Sequence, residues 1–172
     1  MSFAHSYNLA RLGHAGDEVR LEADEAQRAE IAALAGALSL SRFIATVTLR
    51  KTGATRFALD YRLDAEVTQA CVVTLEPVTA VIARDFTREL HFSGTGRRPP
   101  EAADLDLSDR DEDEPEEIDN LHYDLAGPAL EEFLLALDPY PRRPGVAFDP
   151  GTAGDPPPES PFAVLKSLKS RT

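Results

Sequence analysis

The sequence predicts an α+β fold: a twisted antiparallel sheet, open or curled into a partial barrel, with two helices packed against it. Three observations predict it. Two long stretches alternate apolar and polar residues with period two, as strands with one buried and one wet face do. Two other stretches carry apolar residues at helical spacing. Twelve of the thirteen prolines follow Pro77, which leaves the first ninety-odd residues free for uninterrupted sheet and helix.

Taken in order, His5–Leu12 and Asp17–Leu21 read as short extended segments around the turn signal Gly13-His-Ala-Gly16. Asp24 is placed to cap a helix, with Gln27 three residues on to complete a capping box. Ala29, Ile31, Ala32, Ala33, Leu34 and Leu38 then give a helical stripe ending near Leu38. Phe43, Ala45, Val47 and Leu49 alternate with mostly polar neighbours. After a turn at Thr52-Gly53, Phe57, Leu59, Tyr61, Leu63, Ala65 and Val67 alternate against Ala58, Asp60, Arg62, Asp64, Glu66 and Thr68, so the two runs predict a hairpin. Val78 to Phe92 predicts a further strand or bent pair. Its apolar phase holds Arg84 and Arg88, which implies a bulge or uneven burial.

Ser93 to about Asn120 is rich in Gly, Pro, Asp and Glu, too polar to offset the entropy of ordering. A segment from Ile118 to Leu125 follows. A second helix then runs over 126–138, with Pro128 near its start and Asp138-Pro139 as its stop. Pro139 to Pro144 reads as extended. The last residues predict a short amphipathic helix capped by Ser160, with Phe162, Leu165 and Leu168 facing inward. The expected organisation is one α+β domain from residues 1–92 and 118–148, an acidic flexible insert at 93–117, a Pro/Gly linker at 149–159 and the terminal helix at 160–172.

The formal net charge of −12 is misleading as a whole-chain number. Residues 101–120 hold eleven acids against one base, Arg110, and the remainder nets only −2. Overall acidity therefore does not argue against a nucleic-acid partner. No apolar run approaches the ~20 residues of a membrane span, and the N-terminal stretch lacks the apolar core of a signal peptide. A single cysteine, Cys71, suits a reducing compartment, so the expected location is the cytoplasm.

Chemistry is sparse. Cys71 lies at a strand end among Ala70, Val72 and Val73, where a free cysteine behaves as a small hydrophobe. None of His5, His14, His91 or His122 stands in a catalytic context, and no closed set of zinc ligands is present. No dinucleotide fingerprint, P-loop or nucleophile elbow occurs. The expectation is a non-catalytic protein with no metal, cofactor or small-molecule substrate. The remaining candidates are charged surfaces. Arg42, Arg50, Arg56 and Arg62 belong to the wet phases of the hairpin and could contact phosphates, although Asp60, Asp64 and Glu66 share that face. Tyr140, Arg142 and Arg143 form a second candidate contact set on the proline run. Lys166, Lys169 and Arg171 add basic charge near the C-terminus.

Three stretches in series carry a resemblance: Gln69-Ala-Cys-Val-Val-Thr-Leu-Glu-Pro77, Glu131-Glu-Phe-Leu-Leu-Ala-Leu-Asp-Pro-Tyr-Pro-Arg-Arg-Pro-Gly145, and Pro161-Phe-Ala-Val-Leu-Lys-Ser-Leu-Lys169. In that order and spacing the chain resembles the YceD family, the large ribosomal RNA subunit accumulation proteins, and is similar to its alphaproteobacterial branch. The likeness runs over about residues 5–169. It implies ribosome biogenesis: a non-catalytic role in the synthesis, processing or stability of large-subunit ribosomal RNA. Many members carry C-x-x-C at the strand end. Here Cys71 matches the first cysteine and Thr74 stands in place of the second, followed by the shared Leu75-Glu76-Pro77. A single thiolate makes neither a dithiol redox pair nor the pincer of a zinc site. Two binding modes remain open: precursor RNA bound through the strand arginines, or a basic ribosomal protein bound through the acidic segment without RNA contact.

Overall fold

The computed structural model describes residues 2–94 and 115–147. Most of the predicted acidic insert, the linker at 149–159 and the terminal helix at 160–172 lie outside the described residues. The elements, in chain order, are β1 (Ser6–Asn8), a 3-10 turn (Leu9–Arg11), β2 (Asp17–Glu22), α1 (Glu25–Leu34), β3 (Ser39–Lys51), β4 (Arg56–Ala70), β5 (Pro77–Phe92), β6 (Glu116–Ile118), β7 (His122–Asp124) and α2 (Ala126–Ala136).

Five strands form one sheet in the order β2-β3-β4-β5-β6, and β1 pairs with β7 in a small separate ribbon. The class is the predicted one, α+β with a twisted sheet, and the sheet stays open. It differs from the prediction in one pairing: β6 runs parallel to β5, matching Leu90–Phe92 with Glu116–Ile118. Parallel neighbours need a crossover of a dozen or more residues, and the 93–115 connection is long enough to make one.

The alternating runs form the β3–β4 hairpin, with Leu49 opposite Leu59, Val47 opposite Tyr61 and Phe43 opposite Ala65. Their apolar phase is the centre of the core: Ala45, Val47, Leu49, Leu59, Leu63 and Ala65 are all fully buried. Phe43 sits edge-on between two rings, 5.2 Å from Phe3 and 5.4 Å from Phe133 of α2, so the helix is keyed to the hairpin by aromatic packing.

The Asp24 carboxylate accepts from the Gln27 N–H and the Gln27 side chain accepts from the Asp24 N–H, which is the capping box read from the sequence. The other end of α1 falls earlier than predicted. The Gly36 N–H donates to the Ala33 carbonyl and the Ala37 N–H to the Ala32 carbonyl, a Schellman closure with Gly36 at φ +62°. Leu34 and Leu38 are consequently exposed, and Ile31 and Ala32 are the buried residues of the stripe. The first extended segment is also shorter than predicted. The Asn8 side chain accepts from the Ala10 N–H and turns the chain into the 3-10 segment after three strand residues.

β5 is a single strand in continuous register with β4, so the predicted bulge is absent there. The register shift lies instead in β3, between Leu40 and Arg42. Burial along β5 is uneven, as its arginines imply. Leu90 is buried and Phe86 half-buried, Ala80 and Arg84 are exposed, and Arg88 reaches Glu131 of α2 at 2.7 Å. α2 begins where Asp124 accepts from the Ala126 N–H, and it ends two residues before the predicted stop, as Leu137 turns extended.

Candidate functional site

The outer, wet face of the sheet is set by register. Cross-strand partners share a face, so Arg42, Arg50, Arg56 and Arg62 do lie on one side with Arg20 of β2. They do not form a patch. Arg42 pairs in register with Glu66, ten residues along β4 from Arg56. At ~3.3 Å per residue those two arginines are about 33 Å apart. Acids fill the space between them. Arg50 donates from Nε to Asp60 at 3.1 Å, Asp60 also accepts from the Thr87 hydroxyl, and Arg62 pairs with Asp85 at 3.2 Å. Arg20 pairs with Glu22 on the neighbouring edge strand. Counting Glu18, Glu22, Asp60, Asp64, Glu66, Asp85, Glu89 and Glu117 against the five arginines, this face nets −3.

A second site is built where β4 hands over to β5. The Cys71 N–H donates to the Glu76 carbonyl and the Leu75 N–H to the Cys71 carbonyl, which closes a tight loop. Leu75 takes a left-handed backbone (φ +61°), a strained choice for a branched side chain, and its side chain points into solvent. The proline run after α2 docks on this loop. The Val72 N–H donates to the Pro141 carbonyl at 2.9 Å, the Gln69 amide to the Asp138 carbonyl at 3.1 Å, and the Arg143 guanidinium to Glu76 at 2.6 Å. Stretches 69–77 and 131–145, which carry the resemblance separately, are thus one structural unit.

Cys71 lies inside that unit, fully buried. Its Sγ accepts from the Arg143 backbone N–H at 3.5 Å. The Thr74 hydroxyl and the N–H groups of Arg143, Thr74 and Val73 hold its thiol down to about 6, against the opposing effect of burial. The buried sulfur thus accepts one backbone N–H at the join between the loop and the docked run. Arg143 lowers the Glu76 carboxyl below the usual range, and Glu76 raises Arg143 in return. Pro77 opens β5 opposite Ala70, and Tyr140 stands 70% exposed beside this docked run. Sequence reasoning named Cys71, Glu76, Arg143 and Tyr140 but missed the Glu76–Arg143 pair. The only signal for it was that both residues sit in motifs of one resemblance.

Elsewhere in the core, Tyr61 stacks on Phe86 with ring centroids 4.6 Å apart, and burial pushes its hydroxyl well above the ordinary tyrosine value. That hydroxyl has no hydrogen-bond partner among the described residues. Also among the described residues, no three His, Cys, Asp or Glu side chains gather as metal ligands, and no helix is long and apolar enough to cross a membrane.

No curated protein and no solved structure matches the chain. A family model does: large ribosomal RNA subunit accumulation protein YceD, over residues 59–169, a span that takes in most of β4, the Cys71 loop, β5, α2 and the docked proline run. That description implies a role in accumulation of large-subunit ribosomal RNA and names no enzymatic activity. The match covers well over half of the sequence, and the chain belongs to the YceD family.

Proposed function

We propose that this protein is a non-catalytic ribosome-biogenesis factor of the cytoplasm that raises the level of large-subunit ribosomal RNA by holding a basic ribosomal protein. One observation carries the choice of partner: the strand arginines are interleaved with acids, and the face they occupy nets −3. A phosphate lattice is repelled by such a field, whereas a lysine- and arginine-rich protein is attracted by it. The acids of residues 101–120 act in the same direction. Direct contact with precursor RNA is the second reading. It is favoured by Arg42, Arg56 and Arg142, which make no ion pair among the described residues.

The test is a pair of titrations of the full chain, one with a precursor segment of large-subunit RNA and one with basic large-subunit ribosomal proteins. A protein complex that weakens as salt rises, with RNA binding no tighter than a charge-matched control, is the expected result. Tight RNA binding with a steep salt slope and no protein complex overturns the reading in favour of RNA contact.

A further inference from the structure

The two long edges of the main sheet are treated differently by the sequence. β2 is blunted: four of its six residues, Asp17, Glu18, Arg20 and Glu22, are charged. Charges of that kind protect an edge from pairing with other strands. β5 borders β6 only at Leu90–Phe92, so from Pro77 to Glu89 its side away from β4 meets no strand among the described residues. The first half of that free edge reads Val78-Thr-Ala-Val-Ile-Ala83, with no charge and five apolar residues of good strand propensity or small size. Its backbone N–H and C=O groups on that side have no partner among the described residues either. At ~3.3 Å per residue the six positions span about 20 Å, the length of an ordinary strand.

We propose that the Val78–Ala83 edge of β5 receives an extended, basic segment of another protein as an added strand. This deepens the reading given above, and rests on it for the identity of the guest. Alternate side chains of an added strand face the two sides of the sheet. On the outer side, Val81 and Ala83 lie in register with Glu66 and Asp64 of β4, half-buried acids that make no ion pair among the described residues. The guest strand would lie about 10 Å from β4, two strand spacings away. Long lysine or arginine side chains can cross the small Ala83 to reach those acids. On the inner side, guest residues would lie beside Ala80 and Ile82. Leu135, 73% exposed, lies one turn beyond Glu131, which meets Arg88 on that side of the sheet. A second copy of this chain is the wrong guest, because it brings another −12 of charge to the same place.

The experiment uses the full chain and a synthetic peptide alternating lysine and valine, together with the same peptide N-methylated at alternate residues. Hydrogen exchange is read across β5. The plain peptide is expected to slow exchange of the outward amides in Val78–Ala83 by about tenfold or more, and the N-methylated one to leave them unchanged. Asp64→Asn with Glu66→Gln is expected to weaken plain-peptide binding about tenfold while the fold persists. Equal binding of both peptides, protection that misses β5, or indifference to the acid pair overturns the proposal. So does a peptide-free edge already protected, whether by self-association or by residues 95–114. Failure of the guest's identity is read separately: peptide protection of β5 combined with RNA-only binding in the titrations above refutes the proposed function and leaves the edge site standing.

Discussion

Replacing Arg50 and Arg62 together with alanine separates the two binding modes most cheaply, because the geometry fixes what else the change does. Arg50 and Asp60 are 57% and 39% exposed, and Arg62 and Asp85 are 74% and 75% exposed. Exposed pairs of this kind contribute roughly 0.2–1 kcal/mol each. Asp60 keeps its bond from the Thr87 hydroxyl at 2.9 Å, so it is not left bare. The Arg62 pair is the more exposed of the two and should count for least. The expected loss is about 1 kcal/mol in total, a fall in melting temperature of roughly 2–8 °C for a domain of this size. The outer face meanwhile goes from −3 to −5. If the arginines neutralised two phosphates, the log–log salt slope for RNA binding would flatten by about 1.4–1.8 on the scale known for DNA lattices. The assay is a salt series of precursor-RNA binding alongside thermal melting and the cellular level of large-subunit RNA. A small melting shift, an unchanged slope and an unchanged RNA level are expected. A slope flattened by that amount, with a drop in large-subunit RNA, refutes the reasoning from the mixed-charge face.

Changes at three other positions test the remaining structure. Tyr61→Phe removes a buried hydroxyl that has no partner among the described residues, and should leave stability unchanged or raise it by about 1 kcal/mol in denaturant unfolding. Cys71→Ser keeps an acceptor for the Arg143 N–H and should be tolerated better than Cys71→Ala, which leaves that donor unmatched. The folded thiol sits near 6, below the ~8.5 of an unfolded cysteine, so its stabilisation is complete above the unfolded value and gone below about 6. Wild type should therefore exceed Cys71→Ala in melting temperature by more at pH 9 than at pH 5.5. Tyr140→Ala should change stability by no more than about 0.5 kcal/mol, given its exposed ring, and a loss of large-subunit RNA in that strain would mark the ring as a partner contact.

Much of the fold was legible because its signals are local. Alternation from Phe57 to Val67 can only be a strand with one wet face, and Asp24 with Gln27 can satisfy each other within one turn. The early end of α1 was legible too, in Gly36, but the continuing apolar residues Leu34 and Leu38 masked it. What stayed hidden depends on distant partners. Three residues of β6 carry no periodicity, so their parallel pairing follows from where the 93–115 connection returns them. The strand arginines were read correctly as sharing a face, but their neutralisation needed the β4–β5 register that brings Asp85 beside Arg62. Cys71 is buried as its apolar neighbours implied, but the Arg143 N–H that meets its sulfur comes from a run seventy-two residues away and left no local signal.

The central claim, that the partner held is a basic protein, is tested most directly in growing cells. A photoreactive residue replacing Val81, which is 65% exposed on β5, and another replacing Tyr140 would each be activated, and the attached molecules identified. The expected result is covalent attachment of basic large-subunit ribosomal proteins, with the Val81 position the more productive, and no enrichment of ribosomal RNA over an uncrosslinked control. Recovery of precursor ribosomal RNA on both positions, with no ribosomal protein attached, would contradict it.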